Sequence, residues 1–280
     1  MSAPADTRSR SGLDEALTTA LASLPPVGLA ELDERAALRT RVDRKYVVPL
    51  AQVRALVETL APVARVLEVD GRRAFDYESV YFDTPGLTCY TLAARRRPTR
   101  FKVRTRTYVD SGARFLEVKT RDRRGRTVKH RCPYEADPTT MTVDGRGFAD
   151  SVLDAAGIRT DGPATLLPTL VTRYRRSTLL LTGEGSRLTI DTGLTCLEHA
   201  PPHRGPGRSR PAAGLVGSAV VETKTVGHAG AADRALWALG HRPLRLSKYA
   251  SGLAALRPDL PATPWTPVLR RHLTSTWSPS

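Results

Sequence analysis

FKVRTRTYV, residues 101–109, decides how this chain is read. Lys102, Arg104 and Arg106 are spaced by two, and Val103, Thr105 and Thr107 fill the positions between them. Residues two apart in a strand share a face, and β-branched residues favour the pleated state, so the spacing predicts a strand with a cationic face. RFLEVKT (114–120) repeats the pattern with Glu117 and Lys119, and AVVETKT (219–225) repeats it with Glu222 and Lys224. Several strands therefore present Arg, Lys and a few Glu on one face. Enclosed, that surface is a cationic channel with acidic spots. It suits a polyanion carrying a metal ion, and a chain of phosphates is the obvious candidate.

Working outward, TRVDRKYVVPL (40–50) reads as a strand and AQVRALVETLAPV (51–63) as a helix. FDYESVYFDT (75–84) is a strand that ends at Pro85-Gly86. RFKVRTRTYV, ARFLEVKTR and RTVKHRCPYE follow as strands, joined by turns at Asp110–Gly112 and Asp122–Gly125. TLVTRYRRSTLLLT (169–182), SRLTIDTGLTC (186–196) and SAVVETKTV (218–226) bring the count to eight. Helical spacing marks 13–38, 138–157, 229–239 and 247–256. Eight hairpin-linked strands with few helices predict an α+β fold: an antiparallel eight-stranded β-barrel with helices packed around it. Such a barrel encloses about one small ligand.

Residues 1–12 are small and polar and read as a disordered N-terminus. The folded body runs over 13–257, with a Pro-, Gly- and Arg-rich mobile loop at about 198–217. Residues 258–280 hold five prolines and read as an irregular tail, tacked down by Trp265 and Trp277.

The net charge of +15 implies an anionic partner. Nucleic acid fits poorly, because aromatics are only 6% and no helix-turn-helix or RNP pattern occurs. There is also no Walker A or G-x-G-x-x-G segment. Cys89, Cys132 and Cys196 are an odd number of thiols without CxxC spacing, which predicts a reduced, cytoplasmic setting. No stretch approaches the roughly 18 apolar residues of a membrane helix, and MSAPADTRSRSG is not a signal peptide. The six histidines show no metal-binding spacing.

RKYVV (44–48), SVYFDT (79–84), VRTRTY (103–108), FLEVKT (115–120) with VKHR (128–131), Tyr174-Arg175-Arg176, SRLTIDTGL (186–194), VVETKT (220–225) and RLSKYASGL (245–253) occur in that order. In these pieces the chain resembles the CYTH, or triphosphate-tunnel, superfamily. Within it the likeness is to the VTC-type polyphosphate polymerase domain, over roughly Thr40 to Leu256. The resemblance implies a β-barrel tunnel that grips triphosphate or polyphosphate, with a glutamate holding Mn²⁺ or Mg²⁺. It assigns Lys45, Arg104, Arg106, Lys119, Arg176, Arg187 and Lys248 to catalysis. Lys129, Tyr174, Lys224 and Arg245 fall to substrate binding, and Glu222, Glu117 and Asp191 to the metal. Simple tunnel triphosphatases and class IV adenylyl cyclases open with ExExK. Here that face reads Arg41, Asp43, Lys45, so one acid is an arginine, as in the VTC branch. The phosphate-sensing domain and membrane helices of eukaryotic VTC proteins do not appear in these 280 residues.

Each assignment has a plainer competitor. Glu117 and Glu222 would pair with the neighbouring Lys119 and Lys224. Asp191 would only orient Arg187, Tyr174 would be a core aromatic, and Lys248 would be an exposed helix-start lysine. The leading expectation is an ATP–polyphosphate phosphotransferase acting on ATP and polyphosphate, with no nucleic-acid partner and an unidentified protein partner left open. The rivals are a tunnel triphosphatase and a non-catalytic polyphosphate binder.

Overall fold

The computed structural model describes residues 15–35, 42–158, 165–199 and 212–276. In chain order its elements are α1 (15–22), β1 (Pro26–Val27), α2 (Leu29–Arg35), β2 (Val42–Pro49), α3 (Leu50–Leu60), β3 (Ala64–Leu67), β4 (Phe75–Asp83) and α4 (Thr88–Ala94). Then come β5 (Arg100–Tyr108), β6 (Arg114–Arg121), β7 (Thr127–Pro133), α5 (Val143–Ala155), β8 (Leu167–Leu181) and β9 (Ser186–Glu198). β10 (Ala212–Leu215), β11 (Ser218–Thr225), α6 (Ala231–Ala238), α7 (Lys248–Leu256), α8 (Thr266–Arg271) and β12 (Leu273–Thr276) complete the chain. Packing divides it into two compact units, in which the long strands β8 and β9 each have a share.

The first unit comprises Met1–Phe75, Arg175–Leu194 and Leu215–Arg245. β11 pairs antiparallel with both β2 and β9, and β3 pairs antiparallel with β8. The inward positions of β2, β9 and β11 are Tyr46, Val48, Leu188, Ile190, Ala219 and Val221. They form a core with Leu50, Val53, Leu56, Val57 and Leu60 of α3, whose spacing puts one apolar stripe on the sheet. A carboxylate is buried beside this core. Asp233 accepts hydrogen bonds from the Tyr46 hydroxyl and Thr223 Oγ1, both at 2.7 Å, and from Arg44 Nη1 and the Gly230 amide, both at 3.1 Å.

The second unit comprises Asp76–Tyr174, Thr195–Gly214 and Leu246–Ser280. Its strand order is β12-β10-β9-β8-β4-β5-β6-β7. Val80, Phe82, Phe101, Val103, Leu116 and Val118 are buried on one side of β4–β6. At the end of β4, buried Asp83 accepts the amides of Thr84, Cys89 and Tyr90, which satisfies the start of α4. Asp83 also accepts the hydroxyl of Tyr249, the second residue of α7. In the same unit, Gly252 of α7 lies so close to Cys196 that a Cβ there would stand 2.6 Å from the sulfur.

The α+β class and the antiparallel sheet agree with the sequence, but the closed barrel does not appear. Among the described residues the pairing ends at β7 and β12 in one unit and at β2 and β1 in the other. β8 and β9 are 15 and 13 residues long, enough for different neighbours at their two ends, so twelve strands join instead of eight. The four additional strands are short, two to four residues each. β10 lies inside the expected loop at 198–217, whose residues 200–211 are outside the described set. α8 and β12 replace part of the expected irregular tail. Trp265 is buried against Tyr90, with ring centroids 5.6 Å apart; Trp277, Arg41 and residues 1–12 lie outside the described residues. Among the described residues no helix is long and apolar enough to cross a membrane.

Two substitutions test these cores. Asp233→Ala strands the Tyr46, Thr223 and Arg44 donors and is expected to cost about 3 kcal/mol. Gly252→Ala overpacks against Cys196 and is expected to cost about 1–3 kcal/mol. Urea denaturation of both variants measures the losses.

Candidate phosphate-binding faces

Strand register in the second unit sets the cations in rows. Lys102 of β5 lies opposite Lys119 of β6, which lies opposite Lys129 of β7. One row on, Arg104 faces Glu117, and Glu117 faces Arg131. Arg100 faces Arg121. These residues share a face, and Ser79 and Tyr81 of β4 continue it beside Arg106 and Arg104. Like charges placed directly across a sheet destabilise it, so the sheet itself gains nothing from this pattern.

One carboxylate offsets part of the cost. The Glu117 side chain is 2% exposed. Its Oε2 accepts Arg104 Nε at 2.8 Å and Nη2 at 2.6 Å, and its Oε1 lies 3.3 Å from Lys129 Nζ and 3.8 Å from Arg106 Nη1. Burial pushes the Glu117 pKa up, but Arg104, Arg106 and Lys129 outweigh it and hold the carboxyl at about 2. Burial lowers the Lys129 ammonium pKa, partly opposed by Glu117. Burial also opposes the charge on Arg104, but Tyr81 and Glu117 outweigh that and raise its pKa. Glu117 thus pairs with Arg104, Arg106 and Lys129, where the sequence suggested Lys119.

Tyrosines border these cations. Arg104 Nη1 donates to the Tyr81 hydroxyl at 2.9 Å, and Arg106 Nη2 to the Tyr174 hydroxyl at 3.3 Å. Tyr174 stacks on Tyr77 with centroids 5.3 Å apart. The Lys248 ammonium stands 4.4 Å from the Tyr174 ring centroid, a cation–π contact. Lys248 opens α7, where Ser247 Oγ caps the Ala250 amide and receives Lys102 Nζ at 2.7 Å. Lys119 is on the exposed side of this face.

In the first unit, register places Lys45, Glu222 and Thr189 in one row and Asp43, Lys224 and Arg187 in the next. Glu222 is 12% exposed, with Lys45 Nζ at 3.6 Å and Lys224 Nζ at 4.0 Å. Asp191 is fully buried and takes Arg176 through two bonds, Nε at 2.5 Å and Nη2 at 2.8 Å. Its partner is therefore Arg176, not the expected Arg187, whose Nη2 reaches Asp33 at 3.1 Å. Arg245 is exposed.

Among the described residues, no group of three or more His, Cys, Asp or Glu is placed to hold a metal ion. Glu222 is the carboxylate of these faces with lysine rather than arginine neighbours among its ion pairs, so a hard divalent ion there would need phosphate oxygens to complete its shell. Lys102, Arg100, Arg121 and Arg131 belong to the cationic face although the motifs did not assign them roles; strand parity with Arg104 and Glu117 was the available signal.

The VTC domain family model matches residues 40–257, which include every candidate site residue but not Asp33, the partner of Arg187. The chain belongs to the VTC domain family. No curated protein matches it. Solved structures similar to this VTC domain chain include an adenylyl cyclase candidate from Hippeastrum described as having a dominant triphosphatase activity. It is 17% identical, with 79% of this chain and 96% of that one covered and a TM-score of 0.42. An adenylate cyclase candidate from Bacillus halodurans is 11% identical, covering 74% and 94%, with a TM-score of 0.44. A conserved hypothetical protein from Pyrococcus furiosus is 15% identical, covering 75% and 99%, with a TM-score of 0.38. At these identities and TM-scores the likeness says nothing about activity.

Removing the counterion should be costly. Glu117→Gln leaves three cations facing one another and is expected to lose about 3–5 kcal/mol at neutral pH. The folded-state pKa lies below the ordinary carboxylate value. Glu117's contribution is therefore complete above about pH 4.5 and is lost as pH falls toward 2. Denaturation midpoints across that window should decline in the wild type and flatten in Glu117→Gln.

Proposed function

We propose that this VTC domain is a metal-dependent polyphosphate polymerase. In this reading it transfers the γ-phosphate of ATP to a growing polyphosphate chain, in a basic tunnel of the kind the family resemblance implies. The observation that carries the reading is the β5–β7 face. Eight cations, Arg100, Lys102, Arg104, Arg106, Lys119, Arg121, Lys129 and Arg131, stand there with Glu117 as the acid among them. A sheet that is electrostatically incomplete by itself suits a ligand of repeating negative charge. A phosphate chain supplies that charge at every unit.

Phosphoryl transfer needs positioning and charge neutralisation more than covalent help. In the proposed step, a terminal phosphate oxygen of the chain bonds to the γ-phosphorus, and the bond to the ADP oxygen breaks. Arg104, Arg106, Lys119 and Lys248 neutralise phosphate charge in the second unit, with Lys129 and Tyr174 binding substrate. Lys45, Arg176, Arg187, Lys224 and Arg245 do so in the first. Arginine serves because it stays charged when enclosed and offers planar, paired donors. Among the three carboxylates, Glu222 is favoured to hold Mn²⁺ or Mg²⁺. Asp191 is occupied by a bidentate arginine, and Glu117 is surrounded by three cations. The ion would neutralise charge on bound phosphate.

The deciding experiment incubates purified protein with ATP and Mn²⁺ or Mg²⁺, then resolves polyphosphate on a gel and measures free phosphate. A polyphosphate ladder supports the polymerase. Free phosphate without a ladder makes the protein a triphosphatase, and neither product with intact tripolyphosphate binding makes it a binder. Glu222→Gln is expected to abolish turnover while leaving tripolyphosphate affinity nearly unchanged. Wild-type turnover in that variant would remove Glu222 from the metal site.

Affinity for tripolyphosphate should fall steeply as salt rises, because binding releases counterions. Arg104→Ala is expected to weaken it by about 1.5–3 kcal/mol. Arg54→Ala, which changes an arginine 55% exposed on α3, should change it by well under 1 kcal/mol. Calorimetric titration at two salt concentrations separates the two. Equal losses would assign binding to diffuse surface charge.

A further inference from the structure

Five buried side-chain polar atoms lack a hydrogen-bond partner among the described residues: Ser79 Oγ, Arg106 Nε, Thr172 Oγ1, Arg187 Nε and Thr189 Oγ1. Arg187 and Thr189 share the face of Glu222 and Lys224 in the first unit. Ser79 stands directly opposite Arg106 in the second. Two contacts fix the place of Thr172. Tyr174 stacks on Tyr77, and Arg173 reaches Glu78 at 2.7 Å. Each step forward on β4 is thus a step back on β8, which brings Thr172 opposite Ser79. Thr172, Ser79 and Arg106 form one row across three adjacent strands, and they are 0%, 1% and 8% exposed.

A buried donor without an acceptor costs about 1–3 kcal/mol, and such groups are rare in folded proteins. Packing alone does not call for these hydroxyls. Leu170 shares the face of Thr172 on β8 and is apolar and fully buried, and Val would fill position 172 with the same shape. Arg106 Nε can only donate, and the neighbouring row already commits Glu117 to Arg104. What the row lacks is an anionic acceptor.

We propose that Thr172, Ser79 and Arg106 form a phosphoryl subsite, in which the two hydroxyls and the guanidinium Nε donate to non-bridging phosphate oxygens. The assignment rests on the phosphate-binding reading above and adds Ser79 and Thr172 to it as substrate contacts. It also predicts opposite signs for stability and affinity. A hydroxyl without a partner in the free protein stabilises nothing there, yet its loss weakens the complex.

The test uses the full chain, with tripolyphosphate as the probe. Thr172→Val and Ser79→Ala are expected to leave the ligand-free melting temperature unchanged or raised. Each should weaken tripolyphosphate binding about 5- to 10-fold, the loss of one hydrogen bond. Thr172→Ser, which keeps the hydroxyl, should bind as the wild type does. Wild-type affinity in Thr172→Val and Ser79→Ala would overturn the subsite, whether or not their melting temperatures fell. An equal loss in Thr172→Ser and Thr172→Val would overturn it too, since affinity would then follow shape. Failure of the wild type itself to bind tripolyphosphate would remove the phosphate reading and the subsite together. Binding by the wild type with unaffected variants would remove the subsite alone.

Discussion

The contact of Glu117 with Arg104, Arg106 and Lys129 is the constraint on which the second unit depends. Three strands meet there, one contributing the carboxylate and two the cations. Without the carboxylate, β5 and β7 would bring cations to β6 with no local counter-charge. With it, Arg104 is locked by two hydrogen bonds and a third to Tyr81. The side chains are therefore pre-ordered, so a ligand of the proposed kind would meet donors whose conformational entropy is already lost. The remaining cations of the face still outnumber the one acid, which leaves the charge deficit that a polyanion would meet.

The opposite faces make that arrangement tolerable. Val103, Leu116 and Val118 are fully buried between the charged positions, so the apolar face of β5 and β6 fixes their register. A slip by one residue would bury arginines and expose this core. Buried carboxylates hold the neighbouring elements in place: Asp233 under β2, β11 and α6, and Asp83 between β4, α4 and α7. The second of these sets the first turn of α7, and with it Lys248.

The eight longer strands were legible because alternation over seven or more residues leaves little freedom of interpretation. The short strands carried no such period. Pro26–Val27 and Ala64–Leu67 are strands only because β8 and each other provide partners. Closure is not legible for a related reason: sequence spacing reveals neither how long strands share several neighbours nor where a ladder stops. Among site residues, parity placed Arg104, Arg106, Glu117, Glu222 and Lys224 on cation-bearing faces. It could not assign partners, because those follow from register between strands distant in sequence. Asp191 with Arg176, 15 residues apart, depends on the β8–β9 hairpin alignment. Ser79 and Thr172 gave no signal at all, since serine and threonine are ordinary strand residues whose missing partners show only in three dimensions.

These differences bear on what the two acid types do. Glu117 and Asp191 are the most enclosed carboxylates of the two faces, and both are matched to guanidinium groups at short distance. Enclosure strengthens such pairs but makes their exchange for another ligand expensive, because a guanidinium would be left buried without its counterion. Glu222 is held by two lysines at 3.6 and 4.0 Å, and an ammonium is a point charge without the directional fork of arginine. Moving a lysine from carboxylate to phosphate while a cation takes its place conserves the local charge balance. In the proposed metal role, the lysine-paired Glu222 would exchange partners more readily than the arginine-paired Glu117 and Asp191.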